Sequence, residues 1–199
     1  MADFKNALIS CQKCGRLIAV KARDYESGAI QCTHAGCGQI NPLTQPYYDE
    51  RILKGLPEFG RLVHQANPTV KYPLRLGINV VGHSPTCEVM VERLIHDGRC
   101  YISRRHCTIE VIFDKWKGSF RYQLLDGASD VDSHHHKNSL NGTLLDGYLL
   151  QNGEKIDIGD QGLLGLGGKD FFRLEAYRIP PRMLESYLML KPLEPDETQ

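Results

Sequence analysis

The sequence predicts a mainly β protein: a β-sandwich preceded by a small cysteine-held unit and a short helical linker. Three observations predict it. Short apolar runs recur between Ile78 and Glu175, each bounded by turn residues. Glycine is abundant, 19 in 199 residues, and much of it clusters between those runs, which favours turn-rich strands over a helical bundle. Four cysteines stand near the start in two close pairs, Cys11/Cys14 and Cys32/Cys37, and a glycine follows each pair.

Residues 1–45 hold the cysteine unit. Two thiolates separated by two to four residues can close a turn around one metal ion, and two such turns complete a tetrahedral sulfur site of the structural zinc type. Gly15 and Gly38 let the chain bend so that backbone N–H groups face the sulfurs. Between the pairs, 17–23 reads as a strand, 26–28 as a turn and 29–31 as a short strand. Two cysteine turns flanking such a hairpin resemble a zinc ribbon. The alternatives for Cys11, Cys14, Cys32 and Cys37 are two disulfides or four free thiols. The total of seven cysteines is odd, with Cys87, Cys100 and Cys107 scattered singly. A reducing, cytoplasmic setting accounts for that pattern best.

Residues 46–70 read as the linker. Ile52, Leu53, Leu56, Phe59, Leu62 and Val63 recur at helical spacing, interrupted at Gly55 and Pro57, which predicts one or two short packed helices. Residues 71–179 read as the sandwich. Strands are expected at 78–81, 88–91, 107–113, 120–125, 142–145, 154–158, 162–166 and 171–175. After Pro180-Pro181, residues 180–199 read as a docked helix followed by an acidic tail.

The loops of the β region are more specific than its strands. Gly82-His83-Ser84 follows the first strand, Ser103-Arg104-Arg105-His106 precedes a long one, and Ser139-Leu140-Asn141-Gly142-Thr143 comes later. In this order and spacing the region of about 72–178 resembles a forkhead-associated (FHA) domain, a module that binds phosphothreonine peptides. The resemblance implies that Ser103 donates to phosphate, that Arg104 contacts phosphate or peptide backbone, and that Asn141 clamps the ligand main chain. It implies that His106 braces the loops while Gly82 and Gly142 permit the turns. His83 and Ser84 would each add a hydrogen bond. A phosphothreonine brings a charge near −2 and three acceptor oxygens, so donors on rigid loops suit it. Taken singly, Ser103 and Asn141 would be turn residues, His106 a packing histidine and Arg104-Arg105 a solvated pair. The ordered set carries the reading.

One position departs from the family pattern, which places arginine after the glycine of the first loop. Here His83 stands there. Histidine is mostly neutral above about pH 6.5 and cannot fork to two oxygens. The three histidines His134, His135 and His136 extend the asparagine loop and read as a polar surface loop, since consecutive strand side chains alternate direction.

Composition narrows the function classes. With 41% hydrophobic and 24% charged residues the chain is ordinary globular material, and its formal net charge of zero gives no global argument for nucleic acid or membranes. No signal peptide is visible and no apolar run approaches the roughly 18 residues of a membrane span. No nucleophile–base constellation, nucleophile elbow or phosphate-binding P-loop appears, so no enzyme is expected. The leading expectation is a non-catalytic, zinc-containing adaptor that binds a phosphothreonine-bearing protein. The alternative is a structural component of a larger assembly that uses the same fold without phosphate.

Overall fold

The structure is a computed structural model that describes residues 7–129 and 135–192. Its residues group into two units: Met1–Asp49 together with Glu185–Gln199, and Glu50–Leu184.

In the first unit, β1 (Ala7–Ser10) pairs antiparallel with β2 (Leu17–Val20), and the turn between them holds Cys11 and Cys14. Helix α1 (Ala22–Ser27) follows, then β3 (Ala29–Gln31) pairs antiparallel with β4 (Ile40–Pro42) around Cys32 and Cys37. Each cysteine turn is thus the closed end of its own hairpin. This corrects the expected single hairpin between the cysteine pairs, because β2 and β3 do not pair with each other. The physical reason is a capped helix. The Asp24 carboxylate accepts the Lys21 N–H at 2.8 Å, and Gly28, at φ 68°, ends the helix in a left-handed conformation. The expected turn at 26–28 is the end of α1.

Among its described residues the unit has little core. Val20 and Leu43 are fully buried with Ile9 and Ile30 beside them, and Ile18 packs against Cys11 and Cys32. Buried Asn41 links the two hairpins, accepting from Gln12 N–H at 2.9 Å and donating to the Gln39 carbonyl at 3.1 Å. A second ribbon joins β5 (Thr44–Tyr48) to the last strand, β19 (Leu188–Pro192), with Tyr48 opposite Leu188.

The second unit is a two-sheet sandwich. A 3₁₀ turn (Glu50–Gly55) leads to β6 (Arg61–His64), β7 (Lys71–Pro73), β8 (Gly77–Gly82), β9 (Val89–Met90), β10 (Cys107–Asp114) and β11 (Ser119–Asp126). A small ribbon of β12 (Ala128–Ser129) and β13 (His136–Lys137) follows. Then come β14 (Thr143–Leu145), β15 (Tyr148–Leu149), β16 (Lys155–Ile158), β17 (Leu163–Leu166) and β18 (Asp170–Glu175). One sheet has the order β16-β11-β10-β8-β9, the other β15-β14-β17-β18-β6-β7. Alternate residues face inward. Ile109, Val111, Tyr122 and Leu124 come from the first sheet, and Leu62, Leu164, Leu166, Phe172 and Leu174 from the second, all buried in one cluster. Each strand expected from Ile78 onward is present.

Two further expectations need correction. The linker is not helical beyond the short 3₁₀ turn: residues 61–64 form β6, hydrogen-bonded to β18 on one side and β7 on the other. Gly55 and Pro57 stop the helix, and pairing inside a sheet overrides the helical spacing of Leu62 and Val63. The C-terminal helix α2 (Pro181–Ser186) is present, with Met183 and Leu184 half-buried, and the apolar run after it forms β19. The acidic tail from residue 193 lies outside the described residues.

Candidate functional site

Three loops meet at the end of the sandwich where β8 stops and β10 begins. Gly82 sits so close to the neighbouring loop that a Cβ there would strike the Arg104 carbonyl and press on Arg105 Cα. The two loops then run side by side: His83 N–H donates to the Ser103 carbonyl at 3.3 Å, and Ser84 N–H to that of Arg104 at 2.9 Å. The Ser84 and Thr86 hydroxyls lie 2.9 Å apart, closing the first loop on itself.

His106 is fully buried and ties the second loop to the third. Its Nδ1 accepts the Ser103 N–H at 2.9 Å, which assigns the proton to Nε2, and Nε2–H donates to the Gly142 carbonyl at 3.1 Å. Burial holds the imidazole below the ordinary histidine range, partly offset by the Gly142 carbonyl. Ser103 Oγ accepts the Leu140 N–H at 3.0 Å, so its own proton is available to a ligand. One Asn141 N–H donates to the Tyr101 carbonyl at 2.8 Å, while its side chain stays exposed.

Asp126, 5% exposed, anchors the third loop. Its Oδ1 accepts the hydroxyls of Thr143 at 2.6 Å and Ser139 at 2.7 Å, and its Oδ2 accepts the Ser139 N–H at 3.2 Å. The β12–β13 ribbon separates Asp126 from Ser139 in sequence, and sequence reasoning missed this carboxylate because thirteen positions divide it from its nearest partner. The histidine run is only partly described: His134 lies outside the described residues, and His136 Nε2–H donates to the Asp126 carbonyl at 2.8 Å. Leu140 was also missed as a feature. It is 89% exposed, although the side chains on either side of it, Ser139 and Asn141, are both hydrogen-bonded.

The expected residues therefore gather at one end: Gly82, His83, Ser84, Ser103, His106, Asn141 and Gly142. Arg104 is exposed beside them, and its carbonyl also accepts the Cys87 S–H at 3.1 Å.

With this arrangement in view, the family model of the FHA domain matches residues 79–167. The chain carries an FHA domain. Among solved structures, the MEK1 FHA domain with a HOP1 phosphothreonine peptide is 18% identical, with a TM-score of 0.45 over 61% of this chain and 99% of that one. The FHA domain of the CT664 protein from Chlamydia trachomatis is 19% identical, with a TM-score of 0.42 over 61% of this chain and all (100%) of that one. An FHA domain from a study of phosphothreonine-dependent interactions is 19% identical, with a TM-score of 0.42 over 61% and 99%. No curated protein matches the chain.

The cysteine unit forms a second candidate site. The sulfurs of Cys11, Cys14, Cys32 and Cys37 all lie within 4.8 Å of one another, with Cys11–Cys37 at 3.7 Å and Cys14–Cys32 at 3.8 Å. These four can hold one metal ion. Disulfides are not formed: a bonded pair would be about 2 Å apart. Backbone N–H donation, from Cys14 above all, lowers Cys11 to about 6. At Cys32 the His34 N–H favours the thiolate, but burial and the three neighbouring sulfurs outweigh it and push Cys32 up to about 12. Four thiolates cannot share this volume without a cation. No helix among the described residues is long and apolar enough to cross a membrane.

Proposed function

We propose that this chain is a non-catalytic adaptor that binds a phosphothreonine-bearing segment of a protein partner on the loops of its FHA domain. One observation carries the reading: Ser103 Oγ is held by the Leu140 N–H with its own proton uncommitted, on a loop locked by His106. A phosphate oxygen seated there would accept from Ser103. Ser84 and His83 stand on the adjacent loop, and Arg104 supplies an exposed cation. Asn141, braced by one N–H, keeps its carbonyl oxygen for the ligand main chain. Calorimetry with matched phosphothreonine and threonine peptides tests this. Tight binding of the phosphorylated set alone is expected, and equal affinity for both would overturn the reading.

A second reading has a specific observation behind it. Leu140 at 89% exposure, with Tyr148 and Leu149 about half exposed nearby in sequence, gives the asparagine loop an apolar rim, and His83 replaces the family's arginine. That combination suits an unmodified protein surface within an assembly.

For the cysteine unit the proposed occupant is structural zinc. With Zn–S bonds of about 2.3 Å, the edge of a regular sulfur tetrahedron is about 3.8 Å, which the Cys11–Cys37 and Cys14–Cys32 separations match. Four sulfur ligands leave no open position for chemistry. Thiolate ligation and three unpaired cysteines suit a reducing cytoplasm.

A further inference from the structure

We propose that His96 and Asp170 are positioning residues for the peptide-binding loops, acting through Tyr101 on Asn141. Neither belongs to the motifs that identify the domain. The inference deepens the peptide-binding reading and rests on it for its affinity arm only.

Asp170 begins β18 and is 2% exposed. Its Oδ1 lies 2.7 Å from His96 Nε2, while Oδ2 is buried with no hydrogen-bond partner. A carboxylate so enclosed depends on its single donor, since a buried charge left unpaired is costly. His96 therefore fixes the long loop between β9 and β10 to the second sheet. The loop is shaped for this. His96 and Arg99 exchange both backbone hydrogen bonds, at 2.8 and 2.9 Å, around Asp97 and Gly98, which take φ of 50° and 76°.

From His96 the constraint passes to Tyr101. The two rings are 6.4 Å apart, and Lys169, next to Asp170, holds its ammonium 5.8 Å from the Tyr101 ring centre. The Tyr101 backbone is packed so closely on Gly167 that a Cβ there would collide with its carbonyl, and Gly167 N–H donates to Gly142 at 3.0 Å. The same Tyr101 carbonyl accepts the Asn141 side chain. Asp170, His96, Tyr101 and Asn141 thus form one chain of contacts from the buried sheet to the exposed amide. Releasing His96 frees the loop that carries the carbonyl orienting Asn141.

The test uses the 199-residue chain and its variants His96→Ala, His96→Gln and the double variant His96→Ala/Asp170→Asn. Three readouts are the NMR resonances of the Asn141 side-chain amide, phosphothreonine-peptide affinity and the unfolding midpoint. In His96→Ala the Asn141 amide should move and affinity should fall on the order of tenfold. Glutamine can still donate to Asp170, so His96→Gln should keep the amide resonances and hold affinity within about twofold. If His96→Ala does not fold, the double variant removes the stranded charge and should still show the displaced Asn141 amide. An unmoved Asn141 amide in the folded variant overturns the proposal, as does a His96→Gln protein that behaves like alanine. If the wild type ignores phosphate altogether, the peptide-binding reading fails, and the coupling is judged on the Asn141 resonance alone.

Discussion

A single imidazole joins two loops in this protein, and it does so only while uncharged. His106 must accept at Nδ1 and donate at Nε2, so protonation would set an N–H against the Ser103 N–H. Its folded-state value lies below that of the unfolded chain, near 6.5. The contribution to stability is therefore complete above about pH 6.5 and is lost as pH falls through the folded-state value, because the unfolded chain takes up the proton first. Denaturant unfolding across this range should show wild type approaching His106→Gln as the pH drops. A stability difference that stays constant with pH would remove His106 from this role. At Ser103, replacement by alanine should weaken phosphopeptide binding by about 1–3 kcal/mol without unfolding the domain, as read by calorimetry and a thermal scan. His83→Arg should tighten the same complex, since guanidinium brings a permanent charge and a two-pronged donor. No change on that substitution would mean that position 83 does not face the phosphate.

At the scale of elements, the strands of the sandwich were legible because alternation and glycine punctuation coincide there, as in β18, where Phe172 and Leu174 alternate with outward neighbours. β6 was not legible, since Leu62 and Val63 fit a helical stripe as well as a strand and only their partners in β18 and β7 decide. The loop motifs announced Ser103, His106 and Asn141, yet not the groups that hold them. Asp126 and Tyr101 act through a carboxylate and a carbonyl whose partners lie far along the chain, and no local pattern encodes that. The junction of the first two loops can be probed directly. Gly82→Ala drives a methyl group into the Arg104 backbone and should cost about 1–3 kcal/mol of sandwich stability in denaturant titration. Gly159→Ala, where a methyl group meets open space, should stay within about 0.5 kcal/mol.

At the scale of the molecule, two units of different character share one chain. The sandwich has its own large core, whereas the described residues of the cysteine unit bury few apolar side chains. Elemental analysis should find one zinc per chain. Serine at any of Cys11, Cys14, Cys32 or Cys37 should abolish that stoichiometry and unfold the cysteine unit, while the sandwich keeps its NMR dispersion. Loss of both together would show that the units fold as one. Removing residues 185–199 leaves all four cysteines in place but strips β5 of its partner. Competition against a chelator should then show weaker zinc retention than in the full chain, with sandwich resonances unchanged.

The pairing of β5 with β19 also bears on how the protein is made. Residue 48 waits for residue 188, and at about 5–20 residues per second the ribosome needs on the order of ten seconds to deliver it. The hairpins around the cysteines are local and can close as soon as residue 42 emerges. Metal capture early in synthesis would protect a nascent fragment whose last strand has not yet been translated. During that interval the exposed edge of β5 is open to other chains, so a pause in translation after residue 49 would favour misassembly at that edge.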